Sequence, residues 1–184
     1  MLRVIAAAHG GRFAVTSAAV GCLLTLLGRG RAIPVPLVND PVPVVVIVVV
    51  AVPVIAIRPL ISALPLLEAT LPRSALLRVF RLTATAALAA LPPTAAVVST
   101  PGRGPSLWGE FIVLLTFAIA AVVHLGELAW TVPLSVGLLA VIVDGSHPSQ
   151  PVSGALEQIG LGPLAAGLLA SSALYVRQGP RHTG

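Results

Sequence analysis

The sequence predicts an all-α, polytopic membrane protein: about six transmembrane helices, with a short cytoplasmic helix between the second and the third. Three observations predict it. Hydrophobic residues make up 57% of the 184 residues and charged residues only 9%, against roughly 25% charged in an ordinary soluble domain. A soluble domain so composed has almost no polar surface to show to water, and mean hydropathy is high at +1.01. The few charges punctuate uncharged stretches of the length a bilayer requires, about 20 residues per helix. The arginines between those stretches fall mostly on one side of the resulting topology.

The uncharged stretches place spans at about 13–28, 42–64, 76–98, 109–127, 129–144 and 158–177, in a single transmembrane domain over 1–184. Little chain remains for a soluble domain. Residues 1–27 carry a signal-peptide-like pattern, and Ala19-Val20-Gly21-Cys22 faintly resembles a lipoprotein processing site. The apolar run continues through Leu27 into more membrane-like sequence, so a retained first span is expected. In the second span Val44–Val50 is a β-branched run. In water it would read as a strand, but a lone strand in lipid leaves its backbone unsatisfied, so a helix is expected. Pro53 is set to kink that helix, and Pro92-Pro93 to bend or end the third. Small residues (Ala84, Ala86, Ala87, Ala89 and Ala90 in the third span; Gly160, Gly162 and Gly167 in the sixth) are candidates for close helix packing.

With the N-terminus inside, eight arginines (Arg3, Arg12, Arg58, Arg73, Arg78, Arg81, Arg177, Arg181) face the cytoplasm and three (Arg29, Arg31, Arg103) face outward. Both termini are therefore expected in the cytoplasm. All eleven basic residues are arginine. That composition, with abundant Ala, Val, Gly and Pro, points to a GC-rich, bacterial source and hence to the cytoplasmic (inner) membrane. A P-loop needs its lysine at the β- and γ-phosphates, so a Walker-type ATP site is excluded in this chain. Topology accounts for the net charge of +5 better than nucleic-acid binding does. Cys22 is the single cysteine, which rules out an intrachain disulfide.

The segment from Pro65 to Arg81 carries the most information. Pro65 suits the first turn of a short helix, Pro72 ends it, and Ser74 can cap the next helix. Arg78 and Arg81, three apart, share a face at the start of the third span. This pattern of Glu68, Leu71, Pro72, Arg73, Ser74 and Arg78 resembles the cytoplasmic segment of type-2 ATP-binding-cassette (ABC) exporter permeases, and agrees with it in span number and position. The resemblance implies that residues 65–74 form a coupling helix docked in a groove of a separate nucleotide-binding ATPase subunit. ATP and Mg would then reside on that partner, with no cofactor in this chain. It also implies a second transmembrane subunit, the same or a related chain, and an amphipathic, peptide or lipid-like export substrate. The chain is shorter than usual for the family and lacks a clear amphipathic helix before the first span.

Other candidates carry less. His124 and Glu127 lie one turn apart near the end of the fourth span, where Glu127 is placed to pair structurally with Arg81 or Arg78. Hydroxyls within spans (Thr16, Ser17, Thr83, Thr85, Thr116, Ser135, Ser171, Ser172) are expected to bond their own helix carbonyls, and a few are candidates to line a substrate path. The sequence shows no nucleophile triad, paired carboxylate or metal-ligand set in credible register, so no catalytic or metal-binding residue is expected. Two other functions fit the composition: a non-transporting scaffold or immunity subunit of a larger complex, and the substrate-binding subunit of an energy-coupling-factor vitamin importer.

Overall fold

A computed structural model describes residues 11–35, 38, 40–61, 74–99, 104–146 and 158–180. The described chain is mostly helical. Its elements are α1 (Gly11–Leu27), β1 (Ala32–Ile33), β2 (Val42–Pro43), α2 (Val44–Leu60), α3 (Ser74–Ser99), α4 (Gly104–Leu125), a 3-10 turn (Gly126–Trp130), α5 (Thr131–Ser146) and α6 (Leu161–Gln178). The short antiparallel ladder pairs Ala32 with Pro43 and Ile33 with Val42. It ties the end of α1 to the start of α2, a link absent from the sequence-based expectations.

The valine run is helical. Val45, Val48, Val49, Val52, Ala56 and Leu60 are buried, at the three- and four-residue spacing of one helix face. This face makes α2 the central helix, packed against α1, α3, α4 and α5. Ile61 turns extended (φ −83°, ψ 128°) and ends α2; residues 62–64, where the second span was expected to continue, lie outside the described residues. α3 passes through Pro92 and Pro93 and continues to Ser99, so the proline pair does not end it. α4 stops at Leu125 because Gly126 adopts φ 57°, a left-handed conformation that glycine takes without steric cost.

Contacts at the helix ends fix the directions of four helices. The Arg58 guanidinium lies 5.5 Å from the centroid of the Phe13 ring, at the start of α1 and near the end of α2. At the opposite end Gly28 abuts the Val44 side chain. The end of α6 meets the end of α2 through Tyr175 and Leu60, and the start of α3 through Arg78 and Val176. One pole of the bundle therefore gathers the start of α1, the end of α2, the start of α3 and the end of α6, carrying Arg12, Arg58, Arg78 and Arg177. Arg29 and Arg31 follow the other end of α1.

Close packing occurs at glycines other than those singled out by composition. A Cβ on Gly21 would come within 2.8 Å of Pro92 Cγ, and one on Gly137 would collide with Val50. By contrast Gly162 has nothing within 4 Å of such a Cβ, and Gly167 makes ordinary contact with Thr116 at 3.7 Å. Gly160 instead precedes α6 at φ 77°.

Among the described residues, two stretches are long and apolar enough to cross a membrane. They are Ala75–Ser99, with mean hydropathy 1.5, and Ser106–Asp144, with 2.2. Arg12–Leu27 and Val44–Leu60 are apolar but shorter.

Candidate functional site

The predicted coupling segment lies mostly outside the described residues: this holds for Glu68, Leu71, Pro72, Arg73 and the short helix expected over 65–72. Ser74 opens α3, and Arg78 is described. The structure shows what holds the two flanks of the segment.

On the upstream flank, Leu60 is the last residue of α2, and its carbonyl has no partner within the helix. The Tyr175 hydroxyl donates to it at 2.7 Å. Tyr175 is fully buried. A tyrosine inside an apolar environment needs an acceptor for its hydroxyl, and a helix end offers one.

On the downstream flank, Arg78 Nη1 donates to the carbonyls of Val176 at 3.2 Å and Arg177 at 3.4 Å. These belong to the last turn of α6, where carbonyls lack intrahelical donors and the helix dipole favours a cation. α6 ends on Gly179, at φ 73° and ψ −178°, a conformation open to glycine, with its N–H donating to the Tyr175 carbonyl at 2.7 Å. The same glycine makes room for the arginine: a Cβ there would lie 2.9 Å from Arg78 Cζ.

Residues 175–179 thus grip both flanks of the segment between α2 and α3. Arg78 was expected in the coupling segment, and its bonds to the end of α6 were not foreseen; Tyr175, Leu60 and Gly179 were not singled out. The signals that point to them are a tyrosine in an apolar span and a Gly-Pro pair just after Arg177. Arg81, one turn beyond Arg78, is buried. His124 and Glu127 are exposed, in the last turn of α4 and in the 3-10 turn.

Replacing Arg78 with Gln removes a charged donor from two terminal carbonyls. Hydrogen bonds from a charged group contribute about 1.5–3 kcal/mol. The expected result is a lower unfolding temperature in detergent and faster amide exchange in Val176–Gly179, with α5 unaffected. Unchanged exchange in that turn would show that the arginine does not hold it.

Comparison with family models, curated proteins and solved structures finds no match to this chain.

Proposed function

We propose that the chain is the membrane-spanning subunit of a bacterial ATP-driven exporter, with residues 65–74 as its contact to a separate ATPase subunit. The observation that carries the reading is the grip of residues 175–179 on both Leu60 and Arg78. A push on the intervening segment would reach α2, α3 and α6 together rather than being absorbed in a loose loop.

The membrane reading rests on the outer faces of the helices. Leu23, Leu27, Leu91, Val98, Leu139 and Leu169 are exposed, Val98 at 78% and Leu169 at 70%. Apolar residues that cover the outer faces of several helices of one bundle mark a surface made for lipid or for another protein. The six-span count is supported by length and direction. The stretch Ser106–Asp144, of 39 residues, would be about 58 Å long as one helix, nearly twice the hydrocarbon core. Gly126 divides it into α4, of 22 residues, and α5, of 16, beyond the 3-10 turn. α1 and α2, at 17 residues each, are about 25 Å long, and flanking residues or local thinning of the bilayer complete such short spans. The arginine excess of the pole with Arg12, Arg58, Arg78 and Arg177 supports reading it as the cytoplasmic pole, the side on which an ATPase would meet the chain.

The test is purification of the tagged chain from its native membrane, followed by ATPase and transport assays in liposomes. An ATPase subunit should co-purify. Glu68→Ala and Arg73→Ala should keep ATP hydrolysis while cutting transport by roughly tenfold or more, corresponding to about 1.4 kcal/mol of lost coupling. A chain that brings down only other membrane proteins, or two variants with normal transport, would overturn the reading.

A further inference from the structure

A cleft between α1, α2 and α3 brings together polar groups that the packing leaves without partners. It is lined by Ser17, Ile55, Thr85, Leu88, Ala89 and Pro92, among others. In α1 and α3 the other described hydroxyls donate to a carbonyl of their own helix: Thr16 to Arg12, Thr25 to Gly21, Thr83 to Val79, Thr94 to Ala90 and Ser99 to Ala96. This is the usual habit of such residues in a helix. Ser17 and Thr85 depart from it, making no hydrogen bond to any described residue, although Thr85 is only 5% exposed.

Residues whose carbonyls lose a helical donor line the same cleft. A proline has no N–H, so the carbonyl four residues before it loses its helical donor. Pro59, Pro92 and Pro93 lie inside their helices and deprive Ile55, Leu88 and Ala89 in turn. All three deprived residues line the cleft. Pro53 likewise deprives Val49, which lies off the cleft; Thr85, Leu88 and Ala89 share one face of α3, and Ser17 and Ile55 meet that face from α1 and α2.

We propose that this cleft is a hydration site, holding one or two water molecules that bridge the Ser17 and Thr85 hydroxyls to the carbonyls of Ile55, Leu88 and Ala89. Its volume is 30 Å³, against the roughly 10–15 Å³ that one water needs, together with two to four polar partners. Ordered water is one of the means by which helices inside a membrane satisfy carbonyls freed by proline. The bound water lets α3 keep its helical course through Pro92-Pro93 and leaves that point the most easily bent along it. The inference does not depend on the transport reading.

Hydroxyl-radical footprinting of the full chain in lipid bilayers tests it, since radicals formed from bound water label the side chains beside it. Leu88 and Pro92 should be oxidised several-fold faster than Leu23 and Leu91, which face outward. The double variant Ser17→Ala/Thr85→Val should bring them down to the rate of Leu91, while Thr85→Ser, which keeps the hydroxyl, should retain the labelling. Wild-type rates at Leu88 and Pro92 equal to that at Leu91 would show a dry cleft and overturn the proposal. So would labelling that persists undiminished in the double variant.

Discussion

Tyr175→Ala is expected to be the most destabilising single truncation in the described chain. Tyr175 is the largest fully buried side chain, and removing an aromatic ring from a packed site costs about 3–5 kcal/mol. The variant also loses the bond to Leu60. Tyr175→Phe separates the two effects. It keeps the ring and leaves the Leu60 carbonyl buried without a donor, at a cost of about 1–3 kcal/mol. In a lipid environment no bulk water replaces the lost donor, so the upper half of that range is expected. The measurement is reversible unfolding in mixed detergent micelles. Tyr175 is the chain's one tyrosine, so ultraviolet resonance Raman of its phenol reads the hydrogen bond without interference from another ring. A Phe variant as stable as the parent would show that the bond to Leu60 contributes nothing. The Ala variant should unfold well below both.

The two variants have different consequences for transmission between helices. Tyr175→Ala loosens α6 from α2 and α3 together. Tyr175→Phe cuts only the link to the end of α2 and leaves Arg78 on Val176 and Arg177. Under the exporter reading, Tyr175→Phe should therefore weaken transport per ATP hydrolysed without disassembling the subunit.

Helices were legible in the sequence where charges and glycines punctuate it. Arg12 and Arg29 bracket α1, and Gly126 ends α4 close to where the glutamate at 127 interrupts the apolar run. The faces of the helices were not legible. In water, burial leaves an amphipathic trace; between Val44 and Val50 every residue is valine or isoleucine, so nothing in that run distinguishes the buried Val45, Val48 and Val49 from the half-buried Val46 and Val50. The tie from Tyr175 to Leu60 spans 115 positions and leaves no local signature. Of the candidate site, Arg78 was singled out in the sequence only as part of the coupling segment or as a partner for Glu127, not for contact with the end of α6. The acceptors themselves, at the far end of the chain, follow only from the fold. Glycine composition misled for a related reason. Gly162 and Gly167 sit in a small-residue stripe, yet the closest approaches are made at Gly21, Gly28 and Gly137. Gly28 and Gly137 each face a β-branched valine and Gly21 faces Pro92, partners that a count of small residues does not reveal.

Gly137→Leu is the second large effect, and it follows from that distinction. In α5 the position a Cβ would take is already occupied by Val50 Cγ1, with Val50 Cβ a further contact at 3.4 Å. Val50 has little room to give way, because a β-branched side chain in a helix has one strongly preferred χ1 rotamer. It also lies on the helix that packs against four others, so a shift of α2 would disturb the contacts with α1, α3 and α4. Overpacking of a filled site costs about 1–3 kcal/mol, and Leu belongs at the upper end because the collision begins at its first side-chain carbon. Gly137→Ala already incurs that first collision and should show most of the loss. The decisive comparison is the pair Gly137→Ala and Gly137→Ala/Val50→Ala, measured by unfolding in detergent. Shortening Val50 removes the colliding methyl, so the double variant should recover most of the stability lost by the single one, relative to Val50→Ala alone. If α5 packs on α2 through this contact, the two substitutions couple by about 0.5–3 kcal/mol, the range found for residues in contact. Simple additivity would show that Gly137 and Val50 do not meet, and that α5 lies elsewhere on the bundle.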